Sequence, residues 1–152
     1  MRHSYRREHL SVAGALTVSP HRNRIGLYLQ TKREAFNSLD MAAGLRQLRR
    51  HHPRGLLVVW DGAPIHRGEP IRKLLRRGKR IHLERFPGYA PQLNPQEPVW
   101  SQIKCHQLGN FCPADLNELE TAILRSVRRI RKRPSLKRSF FQTCEPPLPL
   151  DG

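Results

Sequence analysis

Leu56-Leu57-Val58-Val59-Trp60-Asp61 is the stretch that most narrows what this chain can fold into. Five apolar residues in a row, without polar alternation, read as a strand covered on both faces, the situation of a parallel sheet. A carboxylate closes the run. Buried at a strand end, it would cost on the order of several kcal/mol unless hydrogen-bonded, paired or metal-bound. Asp61 is followed by Gly62, and Asp-Gly is also a strong turn dipeptide, so a plain turn stays open as its role.

The rest of the chain supplies elements to surround that strand. Residues 9–19 read as a strand, 20–23 as a turn, and 24–31 as the hairpin partner, with Ile25, Leu27 and Leu29 alternating against polar neighbours. Asn37 or Ser38 caps a helix reaching about residue 50, with Leu39, Met41, Ala42, Leu45 and Leu48 at helical spacing and Pro53 beyond its end. A second helix is expected over residues 66–77, with Ile71, Leu74 and Leu75 inward and Gly78 as its stop. A short strand over 81–86 and a Pro/Gly/Asn-rich loop over 87–94 lead to a helix over 95–106. A last helix starts near Asp115, where Asp115 and Glu118 have capping-box spacing, and buries Leu116, Leu119, Ile123, Val127 and Ile130. A hairpin followed by alternating strands and helices implies a mixed α/β sheet with helices on its faces. In such folds ligands gather at the carboxyl ends of strands, where Asp61 would sit. Residues 1–133 are expected to form one domain, and 134–152, with Pro146, Pro147 and Pro149, a disordered or loosely docked tail.

Charge bounds the partner. The chain has 152 residues, with 28 Lys and Arg against 12 Asp and Glu, a formal charge of +16. A field of that sign favours polyanions. No apolar run approaches the roughly 20 residues of a spanning helix, so no membrane role is expected. Cys105, Cys112 and Cys144 are odd in number and irregularly spaced, which fits a reducing cytoplasm better than a disulfide framework and lacks the paired spacing of a zinc site.

A second block, Tyr89-Ala90-Pro91-Gln92-Leu93-Asn94-Pro95-Gln96-Glu97-Pro98-Val99-Trp100, puts an acid in the first turn of a helix. With Asn94 as cap and Pro95 at the first helical position, Glu97 could close a capping box. That explains the helix start but not the rigid Pro87-Gly88-Tyr89-Ala90-Pro91 approach. Trp100 reads as packing, and Lys104 as either a phosphate contact or a solvated charge. The basic stretches over 72–80 and 125–138 read together as phosphate-contacting surface, positioning DNA without reading its sequence.

Asp61-Gly-Ala-Pro-Ile-His66, the block from Phe86 to Trp100, and Lys104 together resemble the DDE endonuclease domain of bacterial mariner-like transposases, the insertion-sequence six-thirty family. That family shows an Asp-x-x-x-x-His block, a Pro-x-Tyr-x-Pro-x-Leu-Asn-Pro-x-Glu-x-x-Trp block and a Lys four residues after the Trp. The 35 residues between Asp61 and Glu97 are close to its usual interval. The resemblance spans roughly residues 10–130. It implies a ribonuclease H-like fold in which Asp61 and Glu97 are catalytic, metal-binding acids near enough to share a divalent ion. Mg²⁺ is the implied cofactor, with Mn²⁺ as substitute, and DNA the implied substrate, both transposon ends and target. Two such ions roughly 3.5–4 Å apart would stabilise attacking and leaving oxygens of an in-line displacement at phosphorus. His66, Arg67, Arg72, Lys73, Lys104, Arg128 and Arg129 are the DNA-contacting candidates, His66 also as a partner for a metal-ligand carboxylate.

The family's first acid, on a central strand ahead of residues 10–18, has no counterpart among Glu8 and Glu34, and Asp40 falls in a helix as a capping or surface residue. The reading is therefore of a transposase catalytic domain lacking its first strand and its N-terminal helix-turn-helix region, inactive alone and bacterial, cytoplasmic and nucleoid-associated. It would be a decayed remnant or one frame of a split enzyme, partnered by a second copy or a complementing upstream half. The alternatives are a non-catalytic, basic DNA-binding remnant and an unrelated ribonuclease H-like nuclease, which predicts a complete acid set.

Overall fold

The computed structural model describes residues 9–22, 24–78, 80–88 and 90–143. In chain order the elements are β1 (Ser11–Val18), β2 (Ile25–Lys32), α1 (Ser38–His51), β3 (Leu56–Trp60), a 3-10 turn (Pro64–His66), α2 (Glu69–Arg77), β4 (Ile81–Arg85), a second 3-10 turn (Pro91–Leu93), α3 (Gln96–Ser101), a π-helical turn (Gln102–Gln107), α4 (Leu116–Arg131) and α5 (Pro134–Gln142). They fall into two compact units. One holds the described residues up to Glu34 and from Pro95 onward; the other is Ala35–Asn94.

In the first unit β1 and β2 form the expected hairpin, antiparallel from Val18↔Ile25 to Ser11↔Lys32. The Ser19 N–H donates to the Arg24 carbonyl at 3.0 Å, so odd residues of β1 bond to even residues of β2. The carbonyls of Ile25 and Leu27 consequently face away from β1. They are not left bare: Lys137 Nζ donates to Ile25 O at 2.8 Å and Arg131 Nε to Leu27 O at 2.7 Å. Two cationic side chains thus close an edge that would otherwise be open to further pairing. Burial, and then the neighbouring Arg131, pull Lys137 below the ordinary lysine range.

The core of this unit is Leu27, Val99, Ile103, Val127, Ile130 and Phe140, with Trp100 and Leu136 packed against it. Phe140 belongs to the segment expected to be a loose tail. Residues 134–142 instead form α5, with Phe140 and Phe141 buried. Pro134 opens the helix at a position where its missing N–H costs nothing, and Leu136 and Phe140 are one helical turn apart. The polar composition around them hid that pair. Pro146, Pro147 and Pro149 lie outside the described residues.

The second unit is built on a parallel pair, β3 and β4, in the register Leu56↔Ile81 to Trp60↔Arg85. α1 and α2 cover one face, where Ala42, Leu45, Ile71, Leu74 and Ile81 pack with Leu56, Val58 and Trp60. The other face differs from expectation: Leu57 is 69% and Val59 45% exposed, so among the described residues β3 is covered on one side only. Its continuous apolar run therefore does not reflect two covered faces here. α1 begins as anticipated, with Asn37 and Asp40 closing a reciprocal capping box, Asp40 N–H to Asn37 Oδ1 at 3.0 Å and Asn37 N–H to Asp40 Oδ2 at 2.9 Å. α2 starts at Glu69, three residues later than the sequence suggested, because Gly68 at φ 127° breaks the chain direction after the 3-10 turn.

β2 and α4 are tied by charge. The Thr31 hydroxyl donates to Glu120, and Arg33 donates to Glu120 Oε2 at 3.3 Å and to Asn117 Oδ1 at 2.5 Å. The Thr31 hydrogen bond first, and Arg33 second, hold the Glu120 carboxyl below its usual range. Such a tie is complete above the ordinary glutamate pKa and disappears as pH falls through the lowered one. Glu120→Gln should therefore lower the melting temperature near neutral pH, and the difference from wild type should shrink as pH falls below the ordinary glutamate range and through the lowered one. Phe140→Ala should cost about 3–5 kcal/mol in denaturant unfolding, the range for emptying a buried aromatic site; a loss below about 1 kcal/mol would mean that α5 is not part of this core.

Candidate functional site

The carboxyl end of the β3–β4 pair concentrates polar chemistry. Its ladder closes with Leu56 N–H to Arg80 O at 2.8 Å and Phe86 N–H to Trp60 O at 2.9 Å, so the chain leaves β3 at Asp61 with its strand fully paired up to that point. Asp61 is exposed rather than buried, its side chain 64% accessible. It forms the turn that Asp-Gly foretells, Oδ1 accepting from the Ala63 N–H at 3.0 Å. The same oxygen faces His66 Nδ1 at 2.9 Å, and that nitrogen also lies 3.1 Å from the Asp61 carbonyl. Both partners are acceptors, so Nδ1 carries the proton. Oδ2 has no contact among the described residues.

His66 is fixed from behind. Its ring stacks on the Trp60 indole with centroids 4.3 Å apart and planes 2° apart, and its side chain is only 17% accessible. Ser38 Oγ donates to the Arg67 carbonyl at 2.7 Å, which ties the turn to the start of α1. The Asp-x-x-x-x-His spacing is thus a closed loop. The histidine returns beneath the strand end, one carboxylate oxygen is bound, and the other is presented to solvent. The sequence reading found Asp61 and His66 but not Trp60, whose signal was its position immediately before the acid on the inward face of β3.

Glu97 lies in the other compact unit, in the first turn of α3. The capping box expected from Asn94 and Glu97 does not form: Pro95 is the cap residue and no side chain caps the helix. Glu97 is exposed and makes no hydrogen bond or ion pair among the described residues, so its carboxylate is not spent on the helix start. α3 is seated by close approach to β1. A Cβ on Gly14 would fall 2.6 Å from Gln96 Nε2 and 2.9 Å from Trp100 Cη2, so a side chain at 14 would force the Gln96 amide and the Trp100 ring to move. Trp100 packs on the core, as expected of it, and Lys104 is exposed on the π-helical turn. Tyr89 lies outside the described residues.

The basic candidates divide by what they touch. Arg67, Lys73, Arg128 and Arg129 are exposed. Arg72 shares Glu69 with Arg76, Nε to Oε2 at 3.4 Å, and the Arg76 hydrogen bond is the main reason the Glu69 carboxyl sits below its usual range. On α4, Arg125, Arg128, Arg129 and Lys132 are all exposed and spaced as one helical stripe.

A model of the DDE superfamily endonuclease family matches residues 1–120. The chain belongs to the DDE superfamily endonucleases. Among solved structures this DDE chain is similar to the catalytic domain of the Mos1 mariner transposase, at 15% identity and a TM-score of 0.52, over 86% of this chain and 81% of that one. That likeness shows the fold, the ribonuclease H-like α/β arrangement. No curated protein matches. The family match ends before the basic end of α4 and before α5. Among the described residues no helix is long and apolar enough to cross a membrane, and no three His, Cys, Asp or Glu side chains gather as a metal cluster.

The stack gives a spectroscopic expectation. The ring protons of His66 should resonate well upfield of free histidine, and Trp60→Leu should return them to ordinary positions while Asp61→Asn leaves them shifted. Unshifted His66 resonances in the wild type would contradict the stacked arrangement.

Proposed function

We propose that this DDE endonuclease chain is a transposase catalytic domain acting on DNA, with Asp61 and Glu97 as its metal-binding acids and Mg²⁺, replaceable by Mn²⁺, as its cofactor. The observation that carries the reading is the division of labour on Asp61: Oδ1 is engaged by Ala63 and His66, and Oδ2 is left open at a strand end. The donor chemistry fits, since exposed carboxylate oxygens are the hard ligands that Mg²⁺ takes while keeping waters for a substrate to displace. Bound there, a divalent cation supplies Lewis-acid stabilisation of charge developing on phosphate oxygens. The chain's own residues do the rest. His66 holds the Asp61 carboxylate in one orientation, and Trp60 holds His66. Arg67, Lys73, Lys104, Arg128 and Arg129 attract and position the DNA backbone, with Arg72 contributing less because it shares Glu69. A second copy of the chain, or a complementing transposase half, is the protein partner that this reading includes.

The formal charge of +16 supports a second reading, a DNA-binding domain without its chemistry. Two measurements separate the readings. Duplex DNA should bind without strong sequence preference, and affinity should fall by orders of magnitude between about 50 and 200 mM salt, as several phosphate contacts require. Mn²⁺ should broaden resonances around Asp61 and Glu97, and Asp61→Ala or Glu97→Ala should each weaken Mn²⁺ binding at least about fivefold with DNA affinity little changed. DNA binding with no Mn²⁺ effect at either acid would decide for the non-catalytic domain. Affinity that stays flat with salt would sink both.

A further inference from the structure

We propose that Arg85 grips a DNA backbone phosphate beside Asp61, which makes it a substrate-binding residue of the site. The inference rests on the transposase reading above and adds a residue to it. Arg85 ends β4 as the register partner of Trp60, so the two side chains leave the sheet on the same face, the face that carries Ile81 and Leu83 further back. Its guanidinium then turns over Gly62, the residue immediately after Asp61. From the place where a Cβ on Gly62 would stand, Nη2, Cζ and Nε lie at 3.3, 3.6 and 3.7 Å. At these distances the guanidinium stands close enough beside Gly62 that a side chain at 62 would crowd it.

The charge there is uncommitted. Among the described residues Arg85 forms no ion pair, and Asp61 Oδ1 is engaged by His66 and the Ala63 N–H. Glu84, its neighbour in sequence, leaves the sheet on the opposite face, with Val59. Arg85 is exposed, so its fork is accessible from solvent. An exposed carboxylate at the same strand end repels an incoming phosphate, and a guanidinium one residue away offsets that repulsion. Its planar fork also matches two phosphate oxygens at once, which a lysine point charge cannot do. The ligand class is therefore a phosphodiester lying across the end of the β3–β4 pair, with the Trp60–His66 stack fixing the carboxylate next to it.

The test measures binding of a labelled DNA duplex to the full chain across a salt series, for wild type, Arg85→Ala, Arg85→Lys and Arg46→Ala. Arg46 is an exposed residue of α1, and its loss removes the same unit of charge elsewhere. Arg85→Ala should bind about tenfold more weakly and lower the salt slope by about one, the signature of one lost phosphate contact. Arg85→Lys should fall between Arg85→Ala and wild type, and Arg46→Ala within about twofold of wild type. Unchanged Trp60 fluorescence and circular dichroism would certify that the strand end is intact. If Arg85→Ala loses no more than Arg46→Ala, or if Arg85→Lys equals wild type, the proposal is overturned while the DNA-binding reading stands. A wild type whose binding lacks salt dependence would remove both.

Discussion

The parallel pairing of β3 with β4 is the constraint from which the candidate site follows. Parallel strands end on the same side, so one ladder brings the residues after Trp60 and the residues around Arg85 to a common edge. The inward face of the pair is anchored by Leu56, Val58, Ile81 and Leu83 against α1 and α2. Trp60 and Arg85 follow on that same face at the end of the pair. Trp60 carries His66, His66 carries one oxygen of Asp61, and the other oxygen is held ready without a partner of its own. A site built on a strand end with supporting contacts behind it is oriented before any ligand arrives, which is what transition-state stabilisation by fixed charges requires.

The strong positive charge is used in two different ways, and the distinction is physical. Arg131 and Lys137 spend their donors on carbonyls of β2 and act as edge seals within a folded unit. Arg33 and Arg76 are tied to Glu120 and Glu69. Arg125, Arg128, Arg129 and Lys132 line a solvent-facing stripe of α4 whose mutual repulsion is relieved when counter-charge is supplied from outside. A basic stretch in sequence is thus a mixture of residues bonded within the chain and residues whose charge is left to the solvent. The acids divide similarly. Asp40 and Asp115 are consumed in capping, with Asp115 Oδ1 accepting from the Glu118 N–H at 2.8 Å, whereas Asp61 retains an open oxygen and Glu97 caps nothing.

Much of this was legible in the residues. The hairpin, α1 with its Asn37 cap, the strand ending at Trp60 and α4 with its Asp115 cap all follow from local rules: alternation, helical spacing and side chains that satisfy backbone groups within three or four residues. Elsewhere packing overrides the local rules. The apolar run of β3 suggested two covered faces, yet Leu57 and Val59 are exposed among the described residues. Asn94 and Glu97 had capping spacing, but the chain enters α3 through Pro95 and does not use them so. Residues 134–142 looked like tail because composition is an average, and Leu136 and Phe140 count only once a core exists to receive them.

By itself the sequence determined the order of the elements and the family to which the chain belongs, and it named Asp61, His66 and Glu97 as the site candidates. These depend on residue types at fixed spacing, and spacing along a chain is a local quantity. Only the tertiary structure decided that Trp60 would lie face to face with His66, that Arg85 would fold over Gly62, and that Gly14 would admit α3 against β1. Each of these joins groups that meet because of the path of the turn after β3, the register of the strands or the seating of a helix. Register and seating are fixed by the packing of whole elements, so no local pattern could have announced them.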